Sequence, residues 1–150
     1  MLKPWMIIGG VTLLIALGAN LIRPADVKWF RRLQRPSWLT FEAAIPVIWT
    51  IVFVCGAWSA YIVWQTLASP WPQMIAYILL EIVTVAYTPV MFWTRSLTIG
   101  TVIGGTGFIG GILLALWVLP TSLWAAVLLI PYLLWSPVGT YITWRMEQLN

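Results

Sequence analysis

Very few side chains in this sequence can do acid–base, metal or nucleophilic chemistry. Histidine is absent, and Cys55, the only cysteine, lies in an apolar run, so no intrachain disulfide can form. Of the four carboxylates, only Glu81 sits inside an apolar stretch, YILLEIVTVAY. That inventory offers no metal set, no cofactor site and no histidine-based triad, so no catalytic residue is expected. Glu81 is the exception worth following, because an ionisable group in hydrocarbon is costly and points to function. Tyr77, Glu81, Thr84 and Thr88 recur at i, i+4, i+7 and i+11, one polar stripe on one helix face. Either the stripe lines a cavity, or a protonated Glu81 hydrogen-bonds a neighbouring helix as part of the packing. A proton relay would need a second mid-membrane acid or a histidine, and the sequence has neither.

The other chemistry on offer is stacking. Twelve residues are tryptophan, and an interfacial belt accounts for those near span ends: Trp5, Trp71, Trp93, Trp117, Trp124 and Trp144. Trp49, Trp58, Trp64 and Trp135 lie deeper. At 100° per residue, Trp49, Phe53, Gly56, Ala60 and Trp64 share a face from which Trp58 points away. Further on, PYLLWSPVGTYITWR (131–145) places Pro131, Tyr132, Trp135, Gly139 and Ile142 on another face. Two faces of rings interleaved with small residues either pack on each other or sandwich a flat apolar ligand.

The elements that must carry these residues are membrane helices. With 61% apolar and 8% charged residues over 150 positions, the composition is that of a membrane protein. Five apolar segments of spanning length are predicted, at about 5–22, 46–68, 71–93, 97–119 and 121–144. Lys3 followed by an apolar run resembles a secretory signal, but the run is long enough to cross a bilayer and is read as the first span. The backbone must satisfy itself in lipid and the two-residue alternation of strands is missing, so the fold class is all-α: one domain, 1–150, a five-helix bundle. Short joints at Ser69–Pro72, Thr94–Ser96 and Pro120–Thr121 make sequential helices antiparallel neighbours.

Residues 23–45 differ, being a polar connection of more than twenty residues. Long loops in compact domains are usually functional. Trp29, Phe30, Trp38 and Phe41 make this one either a lid folded on the bundle or an interfacial anchor. With five spans, Arg23, Lys28, Arg31, Arg32, Arg35, Arg95 and Arg145 share one side against Lys3 alone, so the loop and C-terminus are expected in the cytoplasm. The same asymmetry accounts for the net charge of +4 without a nucleic-acid partner; membrane lipid is the expected anionic neighbour.

Within GTVIGGTGFIGG, Gly100, Gly104, Gly107 and Gly111 form a small-residue face for close helix approach, inside the chain or in a homodimer. Pro89 and Pro137 lie inside spans, where they remove backbone hydrogen bonds, so kinks that leave room are expected there. Val138, Tyr141 and Arg145 satisfy a loose sterol-contact pattern, which an interfacial tyrosine and a snorkelling arginine explain equally well.

Taken together, LQRPSW in the loop, PVIW and AYIVW in the second span, TPVMF in the third and PYLLW in the fifth resemble the tryptophan-rich sensory protein/translocator protein family, TspO/MBR. The similarity runs from about residue 20 to the C-terminus. It implies a five-helix bundle, often dimeric, with a ligand pocket beneath the first loop. It also implies binding of tetrapyrroles such as porphyrin, or of sterol-like apolar ligands, in their transport, sensing or stress-linked regulation. Carried over by position, the family's pocket residues fall on Trp38, Trp49, Phe53, Thr84, Tyr87, Trp135 and Gly139. Several positions depart from the family pattern: Thr84 and Thr143 replace asparagines, Tyr87 a tryptophan, Met91 a phenylalanine and Gly139 a residue that is usually alanine, and Glu81 is an acid the family pattern does not imply.

The expectation is therefore a non-enzymatic membrane receptor for porphyrin or another flat apolar molecule, with basic Arg31, Arg32 and Arg35 facing propionates or lipid headgroups. The rival expectation is a regulatory subunit that docks partner helices on its glycine face and takes no small ligand. A third, oxidation of bound porphyrin through photoexcited tryptophan, has no conventional catalytic group behind it.

Overall fold

A computed structural model describes residues 1–150. Seven α-helices make up the fold: α1 (Pro4–Leu17), α2 (Pro24–Arg31), α3 (Ile45–Thr66), α4 (Trp71–Thr94), α5 (Leu97–Val118), α6 (Leu123–Val127) and α7 (Ile130–Leu149). Proline occupies the first turn of α1, α2, α3, α4 and α7, where its missing N–H would be unpaired anyway. Ser96 and Ser122 start α5 and α6 by accepting the N–H of Ile99 and Ala125. Arg95 closes α4 in the left-handed region at φ 48°. There the Ser96 N–H reaches Met91 O and the Arg95 N–H reaches Phe92 O, bonds that use up the last carbonyls of the helix.

Four stretches are long and apolar enough to cross a membrane: 42–66, 71–94, 97–118 and 123–149. The first crossing is shorter than the expected 5–22. It runs from Pro4 through a single 3-10 turn to Asn20 and then bends by 72° into α2. Seventeen residues of helix rise about 26 Å, close to the thickness of the hydrocarbon core. The last crossing is interrupted between α6 and α7, because Pro131 has no N–H to give to the carbonyl of Val127. By contrast, α4 and α7 continue through Pro89 and Pro137.

The crossings form a ring in the order α1, α3, α7, α5, α4, with α4 returning to α1. Two clusters fill it. One, at the end where α4 meets α5, gathers Val52, Phe92, Tyr132, Trp135 and Met146. The other, towards the α3–α4 corner, gathers Ala60, Val63, Tyr77, Val118 and Ala125. A buried hydroxyl relay braces the second cluster: Ser59 bonds Tyr77 Oη and donates to Ala125 O, both at 2.6 Å.

The glycine face of α5 is occupied within the chain. A methyl at Gly100 would come within 2.5 Å of Met91 Sδ, and one at Gly104 would strike Thr140 Oγ1. At Gly107 it would meet the Tyr132 hydroxyl at 2.6 Å, and at Gly111 the Tyr132 ring at 2.5 Å. These glycines let α7 and α4 lie against α5, so the face is not available to a partner helix.

Candidate functional site

The ring opens into a cavity at the end covered by residues 23–45. Phe30 of α2 and Trp49 of α3 border it, and α4 supplies Thr84, Tyr87 and Met91. From α7 come Trp135, Gly139 and Thr140, and its volume is about 230 Å³. Trp49 meets Trp135 edge to face at 6.5 Å and Phe53 at 6.1 Å. Trp49 and Trp135 therefore meet edge to face, Phe53 tilts against Trp49, and both tryptophans border the cavity. On the other side of Trp49 a groove of about 740 Å³ runs between α1, α3 and α4, bordered by Phe53, Ala57 and Thr12. Trp49, Thr84, Tyr87 and Thr88 border both spaces.

Most hydroxyls here are already engaged. Thr84 donates to Leu80 O at 2.7 Å and lies 3.2 Å from Tyr132 Oη. Tyr87 Oη bonds Thr143 Oγ1, and Thr140 donates to Ser136 O. One donor is left over: the indole N–H of Trp135 is buried and has no partner. Gly139 keeps its surroundings open, since even a methyl there would stand 4.0 Å from Nε1. A buried donor without a partner is costly, on the order of 1–3 kcal/mol, so an acceptor entering this cavity gains by meeting it.

The loop folds on the bundle. Phe30 stacks on Phe92 at 4.8 Å, Trp29 meets the same ring edge-on, and Phe41 lies 6.4 Å from Trp135. Asp26 ties α2 to the α4–α5 corner: its carboxylate is fully buried and takes Arg23 Nε at 2.5 Å and Arg95 Nε at 2.9 Å. The Arg23 guanidinium holds this carboxyl below the usual range, outweighing the upward push of burial, and Arg95 adds to the lowering. At the other end of the loop, Asn150 Oδ1 accepts the Gln34 N–H and its Nδ2 donates to Gln34 O.

Of the residues expected at the site, Trp49, Thr84, Tyr87, Trp135 and Gly139 come together around the cavity, and Phe53 borders the groove. Trp38 does not join them. It lies outside both linings, 43% exposed, and stacks on Tyr141 at 5.9 Å; Phe30 brings the loop's ring to the cavity instead. Arg35 is turned inward, donating to the carbonyls of Phe30 and Leu33 and to Glu42. Val138 and Tyr141 are on the exposed face of α7, and Arg145 bonds Gln148. Tyr132 was not singled out as a polar site residue, yet its ring fills the glycine face and its hydroxyl meets Thr84. A wide glycine face opposite a helix with one deep tyrosine was the available signal.

With this geometry in place, comparison with known proteins is direct. The family model described as TspO/MBR family matches residues 7–149. The chain belongs to the TspO/MBR family. The tryptophan-rich protein TspO of Bacillus cereus is 29% identical, over 88% of this chain and 87% of that protein. The translocator protein of Bos taurus is 28% identical, over 100% of this chain and 94% of its own. The tryptophan-rich sensory protein of Cereibacter sphaeroides is 27% identical, over 93% and 90%. This TspO/MBR chain is thus an integral, multi-pass helical membrane protein.

Proposed function

We propose that this protein is a membrane receptor for a flat, largely apolar tetrapyrrole of the porphyrin type, held beneath the 23–45 lid and delivered or sensed rather than chemically altered. The buried, unpartnered indole N–H of Trp135 in a ring-lined cavity carries this reading. The lid cavity alone, at about 230 Å³, is below the usual ~300–1,000 Å³ of small-molecule sites. The groove beyond Trp49 supplies the missing room, so the ligand straddles Trp49, with one edge towards Trp135 and the other towards Phe53. Affinity then comes from stacking and apolar burial, with one directional bond to an acceptor such as a carboxylate. The names of the bovine and Cereibacter relatives, a translocator and a sensory protein, support ligand handling in general. Sterol contact at Val138, Tyr141 and Arg145, if it occurs, is a lipid-facing event separate from this cavity.

Titration of detergent-purified protein with protoporphyrin, followed by tryptophan fluorescence quenching, tests the reading. Trp135→Ala weakens binding by tenfold or more. Trp58→Ala, 59% exposed on the outer face of α3, leaves it within twofold. Equal losses in the two variants would refute the site.

A further inference from the structure

At the end of the bundle away from the lid, a second void of about 370 Å³ lies between α1, α3 and α4. Ile8 and Val11 of α1, Ala60 of α3, and Met74 and Ile78 of α4 make its apolar walls. At the α3–α4 corner it is bordered by Trp64 and Trp71, which meet edge to face at 5.2 Å. Its deepest polar group is Glu81, ten residues into α4 and so about 15 Å along the helix from Trp71. Glu81 Oε1 accepts the Thr12 hydroxyl at 2.8 Å. It takes part in none of the chain's three ion pairs, which use Asp26 and Glu42. Lys3, the one basic side chain at this end, is not among the residues that border the void.

An acid at this depth persists only when neutralised or paired. A proton would serve, but it would need no cavity beside it; here an apolar channel leads from an aromatic corner to the carboxyl. We propose that this void is a second ligand site, for a compact amphiphile with an apolar body and a protonated amine that pairs with Glu81. Trp64 and Trp71 suit such a molecule, since ring faces attract a cation at the entrance and cover the apolar body once it is seated. A two-chain phospholipid does not suit the site, because its anionic phosphate would stand beside the Glu81 carboxyl, whereas an ammonium there is paired. The lid cavity shares no bordering residue with this void, and the groove beyond Trp49 meets it only at Thr12.

Radiolabelled dodecylamine and dodecanol, bound to immobilised detergent-purified protein, provide the test. Dodecylamine is expected to bind saturably, one per chain. Glu81→Gln, which keeps the side-chain shape and the Thr12 hydrogen bond, lowers that affinity at least tenfold and leaves dodecanol unaffected. Excess protoporphyrin leaves the amine in place. Unchanged amine affinity in Glu81→Gln, or displacement by protoporphyrin, overturns the proposal. Should Glu81→Gln fail to give the native elution volume and helix content, Ile78→Trp at the lipid-facing wall replaces it, and undiminished amine binding in that variant is equally fatal.

Discussion

At the scale of single residues, Trp135 separates two contributions that alanine substitution merges. Trp135→Phe keeps an aromatic ring against Trp49 and Phe41 while removing the only buried donor in the cavity without a partner. A hydrogen bond to a charged group is worth about 1.5–3 kcal/mol, so this variant should bind protoporphyrin roughly ten- to a hundredfold more weakly. The dimethyl ester of the same porphyrin, which lacks the carboxylates, should lose much less. Equal losses for acid and ester would mean that the N–H meets no carboxylate. Glycine at 139 belongs to the same local logic, because it leaves the space beside Nε1 empty.

At the scale of elements, two joints decide whether the cavity keeps its shape. The first is α5 against α7. Gly111→Val drives new carbons into the Tyr132 ring, 2.5 Å from the first of them, and overpacking of this kind costs about 1–3 kcal/mol. A lower Tm by thermal unfolding in detergent is expected, whereas Gly105→Ala, with nothing within 4 Å of the added carbon, should not lower it. The second joint is α2 on the α4–α5 corner through Asp26. Its folded pKa is depressed, so the ion pairs stabilise the docked lid above the ordinary Asp value of about 3.9. That stabilisation is lost only as pH falls through the lower folded value. Asp26→Asn leaves two arginines without their carboxylate, and trypsin should then cut after Arg31 and Arg32 faster at neutral pH. An unchanged cleavage rate would mean that Asp26 does not hold the lid. These elements were legible in the sequence to different degrees. Apolar length located four crossings, because lipid imposes it on every helix, and spacing put the α3 and α7 rings on inward faces. The break before Pro131 and the 72° bend after Asn20 were hidden, since both depend on how the chain meets its neighbours. Trp38 was misplaced for a similar reason: a turn anchored by Gln34 and Asn150 aims its ring at Tyr141, and no local pattern encodes that pairing. Thr12 and Glu81 could have been paired from sequence, as polar residues within two otherwise apolar spans.

At the scale of the whole molecule, the polar stripe of α4 is the spine along which the internal spaces are strung. Thr88 and Thr84 border the lid cavity and the groove, while Glu81 and Tyr77 border the far void. A small gap of about 40 Å³ between them is bordered by Thr84, Glu81 and Tyr77 together. The two ends of the bundle therefore present different chemistry: a basic, lidded mouth and a nearly uncharged aromatic corner. Seven of the eight basic residues fall at the lid end, and an excess of Lys and Arg marks the cytoplasmic face. We therefore expect the lid to open to the cytoplasm and the Trp64–Trp71 corner to face outward. Replacing Cys55 by serine gives a chain without thiols, into which one cysteine can be placed at Ser37 in the lid or at Ser69 in the α3–α4 corner. Both positions are exposed, so accessibility to the reagent depends on sidedness alone. In intact cells a membrane-impermeant maleimide should label the cysteine at 69 and spare the one at 37 until the membrane is permeabilised. The reverse pattern would place the lid outside, and a ligand of the lid cavity would then arrive from the external medium rather than from the cytoplasm.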